Sequence, residues 1–307
     1  MSGPRVAVLP RPKPVFTEAV ESGGGVVVEI DESPEGLLWL SYGRTDELAA
    51  VLEEHPSIRW VQLPWAGVDV FAPVLASARD DLVWTSAKGA YAEPVAEHAL
   101  ALMLALLRSL PERARADSWG PKKAVTLHRA CVVIVGAGGI ARELLRLLSV
   151  FGCRVTIVRR GDEPVEGAAR TLPSSRLAEA AAEADVLVLA AAATTGTERM
   201  VDADLLAHLP VHAVLVTVAR GSLVDTDALV AALAEGRLAG AALDVTDPEP
   251  LPDGHPLWSE PRCLITPHSA DTPEITAPLL AERVRANVAA LAVGAPLVGR
   301  VDPVAGY

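Results

Sequence analysis

The stretch Cys131-Val132-Val133-Ile134-Val135-Gly136-Ala137-Gly138-Gly139-Ile140-Ala141 decides the fold. It begins with an unbroken apolar run of strand length and leads into a helical pattern, ARELLRLLSVFG, at residues 141–152. Gly136 allows a tight turn, Gly138 lets the backbone approach a pyrophosphate, and Ala141 is small enough for close helix–strand packing. The stretch therefore predicts a dinucleotide site, with Gly136, Gly138, Gly139 and Ile140 binding the cofactor. The alternative is a glycine-rich turn without a ligand.

Outward from this stretch, short apolar runs alternate with helical patterns in both directions. Strands are predicted at residues 5–9, 26–30, 37–40, 58–63, 82–85, 131–135, 154–158, 185–190, 213–218, 241–245 and 263–266. Helices are predicted at residues 45–55, with Thr45 as the N-cap, at 94–108 and at 273–292. This alternation is typical of parallel sheets covered on both faces, so the fold class is α/β.

Composition limits the possible partners. The chain has 307 residues, of which 50% are hydrophobic and 21% charged, which excludes intrinsic disorder and suggests two domains. Its 27 basic and 39 acidic residues give a net charge of −12, which argues against nucleic acid or an anionic membrane as the main partner. The three cysteines and seven histidines have no metal-site spacing. With no apolar run of about 20 residues, the chain is expected to be soluble and cytoplasmic.

Two arginines follow the second predicted strand of the dinucleotide unit. Arg159 lies 159 − 136 = 23 residues after Gly136, close to the offset of about 20 at which an acid usually binds the ribose of NAD. Paired guanidinium groups at Arg159 and Arg160 suit a 2′-phosphate instead, so NADP(H) is expected to be preferred and NAD(H) possible. The alternative is two solvated arginines, with Asp162 reaching the ribose.

The second half of the chain resembles a known family. The motifs that carry the resemblance are Val218-Ala219-Arg220-Gly221-Ser222-Leu223-Val224-Asp225, Ala239-Gly240-Ala241-Ala242-Leu243-Asp244-Val245, Glu249-Pro250-Leu251-Pro252, His255-Pro256-Leu257-Trp258 and Thr266-Pro267-His268. Upstream, Ala66-Gly67-Val68-Asp69 and Val95-Ala96-Glu97-His98 fit the same pattern. In this order, from about residue 60 to residue 272, they resemble the D-isomer-specific 2-hydroxyacid dehydrogenases.

The resemblance implies a role for each matching residue. Arg220, Glu249 and His268 would be catalytic: His268 would protonate the carbonyl oxygen of a 2-keto acid, Glu249 would hold its ring, and Arg220 would bind the substrate. Further cofactor contacts would come from Val218, Asp244 and Ala270, with Asp244 on the nicotinamide carboxamide. The substrate carboxylate would meet the loop Trp65, Ala66, Gly67 and Val68, and Trp119 stands where some relatives insert an aromatic side chain into the site of a neighbouring subunit.

Some positions depart from the family pattern. Thr217 replaces a common asparagine, Asp271 stands where glycine is usual, and Ala192-Ala193 replaces a Pro-Leu pair beside the cofactor. These changes leave the proton donor and the guanidinium in place, but they affect cofactor contacts and substrate choice.

The expected architecture is two doubly wound parallel-sheet domains with a cleft between them. Residues 1–93 and 273–307 would form a flavodoxin-like substrate domain, and residues 94–272 a Rossmann nucleotide-binding domain. The expected function is NADP(H)-dependent reduction of a small 2-keto acid, such as glyoxylate or hydroxypyruvate, to the D-2-hydroxy acid by a homodimer. The alternatives are an NAD-dependent enzyme for a larger acid and a non-catalytic protein that senses the cofactor.

Overall fold

A computed structural model describes residues 3–303 of the chain. These residues form two compact units, one built from the described residues up to Tyr91 together with those from Thr272 onward, the other from Ala92–Asp271. The ends of the expected substrate domain, residues 1, 2 and 304–307, lie outside the described part. The assignment of the units to substrate and nucleotide stays a prediction.

The first unit is a parallel five-stranded sheet with helices. Its elements, labelled in chain order, are β1 (Arg5–Leu9), α1 (Pro14–Ser22), β2 (Val26–Val27), β3 (Gly36–Trp39), α2 (Thr45–Glu54), β4 (Trp60–Gln62), α3 (Ala72–Ser77), β5 (Val83–Thr85) and the last helix, α11 (Pro273–Ala292). The strand order β2-β1-β3-β4-β5 is the flavodoxin-like order, as expected.

Two local predictions in this unit were wrong. The strand expected at residues 26–30 stops after Val27, because a short 3-10 helix, Ile30–Glu32, follows it. That helix is closed by a reciprocal capping box between Glu29 and Glu32. Thr45 is the first residue of α2 and not its N-cap. Arg44 takes the cap position without a capping hydrogen bond from its side chain.

A buried polar network ties α11 to the sheet of the first unit. The Asn287 side chain is fully buried, and its Nδ2 donates to Gln62 Oε1 and to Val298 O, both at 3.0 Å. Its Oδ1 accepts from Val298 N at 2.8 Å. Thr85 Oγ1 donates to the same Gln62 oxygen at 2.8 Å and accepts from Trp60 Nε1. Because each partner is satisfied, the network fixes where α11 docks.

Asn287→Ala should destabilise this unit. The change removes three hydrogen bonds of a buried side chain and leaves the Val298 amide without its acceptor, which lowers the free energy of unfolding by about 3 kcal/mol. Urea unfolding followed by tryptophan fluorescence measures it, because most tryptophans lie in this unit: Trp39, Trp60, Trp65 and Trp84. Arg285→Ala, on the exposed side of the same helix, is the matched control. Equal urea midpoints for Asn287→Ala and Arg285→Ala would contradict the stabilising role of this polar network.

The second unit is a parallel seven-stranded sheet with helices. Its elements are α4 (Ala92–Leu107), α5 (Leu110–Ala114), β6 (Cys131–Val135), α6 (Gly139–Ser149), β7 (Arg154–Arg159), β8 (Arg170–Pro173), α7 (Leu177–Ala181), β9 (Val186–Leu189), α8 (Ala203–His208), β10 (Val214–Thr217), α9 (Thr226–Ala234), β11 (Gly240–Leu243), α10 (Pro256–Ser259) and β12 (Cys263–Ile265). The order β12-β11-β10-β9-β6-β7-β8 is the Rossmann order with one added strand. The order reverses between β6 and β9, the place where such sheets bind nucleotides.

Two elements of this unit add to what the sequence predicts. Strand β8 was missed, because it lies at the sheet edge and lacks a continuous apolar run. The apolar helix α4 packs against α6, β10 and β11, so it is a core helix of its own unit. Its side at Ala101 is exposed. None of the helices in residues 3–303 is long and apolar enough to cross a membrane.

Candidate active site

The glycine-rich turn after β6 has the conformation that its sequence predicts. Gly136 has φ +116°, and a Cβ there would lie 2.5 Å from Ala190 O, so any side chain would clash. Its amide donates to Val158 O at 2.7 Å, which fixes the turn beside β7. In contrast, no heavy atom lies within 4 Å of a Cβ built on Gly138, so that face of the backbone is open.

The turn leaves several amides for a ligand. The first amide to close a helical turn in α6 is that of Arg142, which donates to Gly138 O at 3.1 Å. Within residues 3–303, the amides of Gly138, Gly139, Ile140 and Ala141 donate to no protein acceptor. Open backbone and unused amides at a helix N-terminus fit the pyrophosphate of a dinucleotide. Arg142, which sequence reasoning missed, folds over the same turn with Nε donating to Ala137 O at 3.2 Å.

The two arginines after the second strand of this unit differ in their surroundings. Arg159, the last residue of β7, is half-buried, and its Nη1 lies 3.4 Å from Glu163 Oε2 and 3.3 Å from Glu163 O. Arg160 is exposed. Sequence reasoning considered Asp162 as the acid near the ribose, but the carboxylate that contacts Arg159 belongs to Glu163.

The expected catalytic residues follow three neighbouring strands. Arg220 comes three residues after β10, Glu249 lies in the loop after β11, and His268 comes three residues after β12. Because these strands are parallel, their carboxyl ends share one edge of the sheet. His268 Nδ1 and Glu249 Oε1 are 2.7 Å apart, within hydrogen-bonding distance, although 19 residues separate them. About 40% of each of these two side chains is exposed, so solvent and ligands can reach the pair.

The backbone of His268 is held in an uncommon conformation. Its φ of +48° lies in the left-handed region, which non-glycine residues rarely adopt. Its amide donates to Asp244 O at 2.8 Å and to Thr266 O at 2.9 Å. Strain of this kind persists where the surroundings fix it, and it is concentrated at functional sites.

The Asp244 carboxylate anchors the loop that carries His268. It is 2% exposed and accepts from Thr266 Oγ1 at 2.6 Å, from Ser269 N at 2.9 Å and from Ala270 N at 3.2 Å. Burial raises the pKa of Asp244, but hydrogen bonds from His98, Thr266 and Ser269 outweigh it and hold that pKa below 3.8. The carboxylate is therefore charged and already engaged with the protein.

His98 also contacts the Asp244 carboxylate and Thr266. Its Nε2 lies 3.0 Å from Thr266 Oγ1 and 3.2 Å from Asp244 Oδ1, which joins α4 to the loop. Apart from the motif Val95-Ala96-Glu97-His98, the sequence gives no local sign that His98 belongs to the site, because its partners lie 146 and 168 residues away (244 − 98 and 266 − 98).

Asp271 interacts electrostatically with both His268 and Arg220. Arg220 is part-buried, and its Nη1 donates to Ala219 O at 2.8 Å. Burial is the main cause of a raised pKa at Asp271; attraction to His268 and Arg220 opposes the rise, and repulsion from Asp244 adds to it. The glycine-to-aspartate departure at Asp271 therefore changes the electrostatic environment of the pair.

Comparison with known proteins now identifies the family. A model of the NAD binding domain of D-isomer specific 2-hydroxyacid dehydrogenases matches residues 100–270. The chain belongs to the D-isomer specific 2-hydroxyacid dehydrogenase family. As a family member it is an oxidoreductase that acts on the CH–OH group of donors and uses a nicotinamide dinucleotide.

Individual relatives cover most of this dehydrogenase. It is 37% identical to an uncharacterized protein in the proB 3'region of Corynebacterium melassecola, over 95% of this chain and 96% of that one. It is 32% identical to glyoxylate/hydroxypyruvate reductase A of Serratia proteamaculans, over 70% of this chain and 69% of that one. It is similar in structure to a D-isomer specific 2-hydroxyacid dehydrogenase from Xanthobacter autotrophicus Py2, solved in complex with NADPH and MES, with TM-score 0.85, 26% identity and coverage of 99% and 100%.

The predicted substrate loop of the dehydrogenase lies in the first unit, after β4. Within residues 3–303, the amides of Ala66, Gly67 and Val68 donate to no protein acceptor. Trp65 is half-buried and makes edge contacts with Tyr42 and Tyr91, at ring-centroid distances of 5.9 and 6.5 Å. Three consecutive unused amides are suited to an anion.

Three other residues expected at the site, Val218, Ala270 and Trp119, differ in their exposure. Val218 and Ala270 are buried, at 7% and 5% exposure. Trp119 is 93% exposed, and its carbonyl accepts from Arg113 Nη1 at 3.0 Å. Within residues 3–303, no group of three or more His, Cys, Asp or Glu side chains is arranged to hold a metal ion.

Proposed function

We propose that this dehydrogenase reduces a small 2-keto acid of the glyoxylate or hydroxypyruvate type to the D-2-hydroxy acid, with NADPH as the preferred reductant. The observation that carries the proposal is the 2.7 Å contact between His268 Nδ1 and Glu249 Oε1, at the sheet edge that also carries the glycine turn and Arg220. The name of the Serratia relative and the NADPH complex of the Xanthobacter structure support it.

His268 is proposed as the proton donor. When bound, NADPH supplies a hydride to the carbonyl carbon, and negative charge then develops on the carbonyl oxygen. With Nδ1 directed at Glu249, Nε2 of the imidazolium is the nitrogen that can donate to this oxygen. The Glu249 carboxylate fixes the ring orientation and stabilises the imidazolium until its proton is transferred.

Arg220 is proposed to bind the substrate carboxylate, and the unused amides of Ala66, Gly67 and Val68 are separately proposed as an anion-binding group of the first unit. The planar guanidinium of Arg220 can bond a carboxylate with two parallel hydrogen bonds. The Trp65 side chain is proposed to line the substrate pocket and, by limiting its size, to favour small acids. Arg220 is proposed to hold the substrate in place and to leave proton transfer to His268.

The cofactor is proposed to bind at the glycine turn. Gly136, Gly138, Gly139 and Ile140 would hold the pyrophosphate, and Val218, Ala270 and Asp244 would meet the nicotinamide end. Arg159 and Arg160 support a preference for the 2′-phosphate of NADP(H), with NAD(H) as a weaker alternative.

A homodimer is also proposed. Large apolar side chains are exposed in and around the segment between α4 and β6: Leu110 (53%), Trp119 (93%) and Val125 (52%). Such exposure is typical of a surface that a partner covers. Light scattering on the purified chain measures the mass directly, and a monomer at micromolar concentration would contradict the dimer. A cytoplasmic location stays an expectation.

A substrate panel tests the proposed function. Glyoxylate, hydroxypyruvate, pyruvate and phenylpyruvate are each tested with NADPH and with NADH, and kcat/KM is determined from the loss of reduced cofactor. The proposal predicts the highest kcat/KM for glyoxylate or hydroxypyruvate with NADPH. A preference for phenylpyruvate or for NADH would contradict it, and tight cofactor binding without turnover would indicate a sensor.

A further inference from the structure

The contacts of Glu163 bear on cofactor choice. One nitrogen of Arg159, Nη1, faces both the side-chain and the main-chain oxygen of Glu163, at 3.4 and 3.3 Å. Arg159 is 32% exposed and Glu163 is 70% exposed, so the carboxylate can move while the guanidinium is more restricted. The guanidinium proposed to bind the 2′-phosphate is therefore already paired with an acid of its own loop.

Gly161 makes this pairing possible. A Cβ built on Gly161 would clash with Glu163 Oε2 and lie 3.1 Å from Oε1, so the carboxylate occupies the space that any side chain would need. The atoms in conflict are the far end of a flexible side chain, which can swing outward. Gly161 has no positive φ, so alanine fits its backbone.

We propose that Glu163 determines how strongly this enzyme discriminates between NADP(H) and NAD(H), because its carboxylate competes with the 2′-phosphate for Arg159. A phosphate that approaches Arg159 must displace a like charge, which weakens NADP(H) binding. NAD(H) has no 2′-phosphate and does not meet this competition. In this fold an acid near the ribose also accepts a hydrogen bond from its 2′-hydroxyl, which favours NAD(H). The inference rests on the proposed cofactor site at Arg159.

Direct binding tests the proposal. The Kd values of NADP⁺ and NAD⁺ are measured by isothermal titration calorimetry on the full chain, and the ratio Kd(NAD⁺)/Kd(NADP⁺) is compared between variants. Glu163→Gln removes the charge and keeps the size, and it should raise this ratio about fivefold. Glu166→Gln makes the same charge change at an exposed neighbouring position and should leave the ratio unchanged.

A charge-neutral variant separates competition from a general loss of negative charge. Gly161→Ala displaces the Glu163 carboxylate from Arg159 while the net charge stays the same, so the ratio should again rise. An unchanged ratio in Glu163→Gln, an equal rise in Glu166→Gln, or no rise in Gly161→Ala would overturn the proposal.

Arg159→Ala distinguishes this failure from failure of the proposed cofactor site. If Arg159→Ala lowers the ratio but Glu163→Gln and Gly161→Ala do not raise it, the site holds and the competition is wrong. If Arg159→Ala leaves the ratio unchanged, Arg159 does not bind the 2′-phosphate, and both the cofactor preference and this inference fail.

Discussion

His268→Ala is expected to lower kcat by about 10²–10⁴-fold, the range for loss of a general acid, while the Kd of NADPH stays at the wild-type value. The proton that neutralises the carbonyl oxygen comes from His268 in this account. The glycine turn and Arg159, which are proposed to bind the cofactor, lie in other loops of the sheet edge. Stopped-flow or steady-state loss of NADPH measures kcat, and calorimetry measures Kd.

Two further variants, His268→Asn and His208→Gln, are the controls for this prediction. His268→Asn tolerates the left-handed backbone and cannot transfer a proton, so it separates loss of the donor from backbone strain. His208→Gln changes an exposed histidine on α8, where Nδ1 lies 2.7 Å from Asp204 O, and should keep wild-type kcat. Retention of kcat within about tenfold in both His268 variants would show that His268 is not the proton donor.

Asp244→Ala is expected to lower kcat about 10²-fold and the free energy of unfolding of its unit by about 4 kcal/mol. The variant removes the acceptor for Thr266 Oγ1, Ser269 N and Ala270 N, so the loop that carries His268 loses its anchor. A displacement of about 1 Å at a catalytic group is enough for the loss in kcat. Enzyme kinetics and chemical unfolding measure the two effects.

The acid dependence of stability gives a second readout. The pKa of Asp244 is lowered in the folded state, so its contribution is fully present above the ordinary value of 3.8 and is lost as the pH falls through the folded value. The stability difference between wild type and Asp244→Ala should therefore shrink below about pH 4. A difference that stays constant into strong acid would contradict this assignment.

Asp185→Ala is the control that removes an aspartate from a different position in the same sheet. Asp185 precedes β9 at the opposite edge of the same sheet, where it accepts from Cys131 N at 2.7 Å and lies 2.8 Å from His212 Nε2. Its removal should lower stability and leave kcat unchanged. An equal loss of kcat in both aspartate variants would mean that Asp244 acts through general stability alone.

Much of this site is predictable from sequence because its determinants are local. The turn from Gly136 to Ala141 requires only a strand before it and a helix after it. Likewise, Arg220, Glu249 and His268 each lie within a recognisable motif, and parallel strands bring such motifs to one sheet edge. The two parallel sheets follow from the alternation of apolar runs with helical patterns, and their Rossmann and flavodoxin-like character follows from the glycine motif and the family resemblance.

The rest depends on side-chain contacts that no local pattern encodes. His98 joins Asp244 and Thr266 only once α4 has packed beside β10 and β11. The pairing of Arg159 with Glu163 depends on the space that Gly161 leaves free. The sequence shows that two arginines follow the strand, but it does not show that an acid contacts one of them. Strand β8 was missed because an edge strand has one hydrogen-bonded neighbour and needs little apolar character.

The most direct measurement is chiral analysis of the product formed from hydroxypyruvate and NADPH by the wild-type chain. Hydride transfer with protonation by His268 predicts glycerate in an amount equal to the NADPH consumed, and membership of the D-isomer specific family predicts the D configuration. Glycerate of the L configuration, or no glycerate while NADPH binds tightly, would contradict the central claim that this chain is an NADPH-dependent reductase that forms D-2-hydroxy acids from small 2-keto acids.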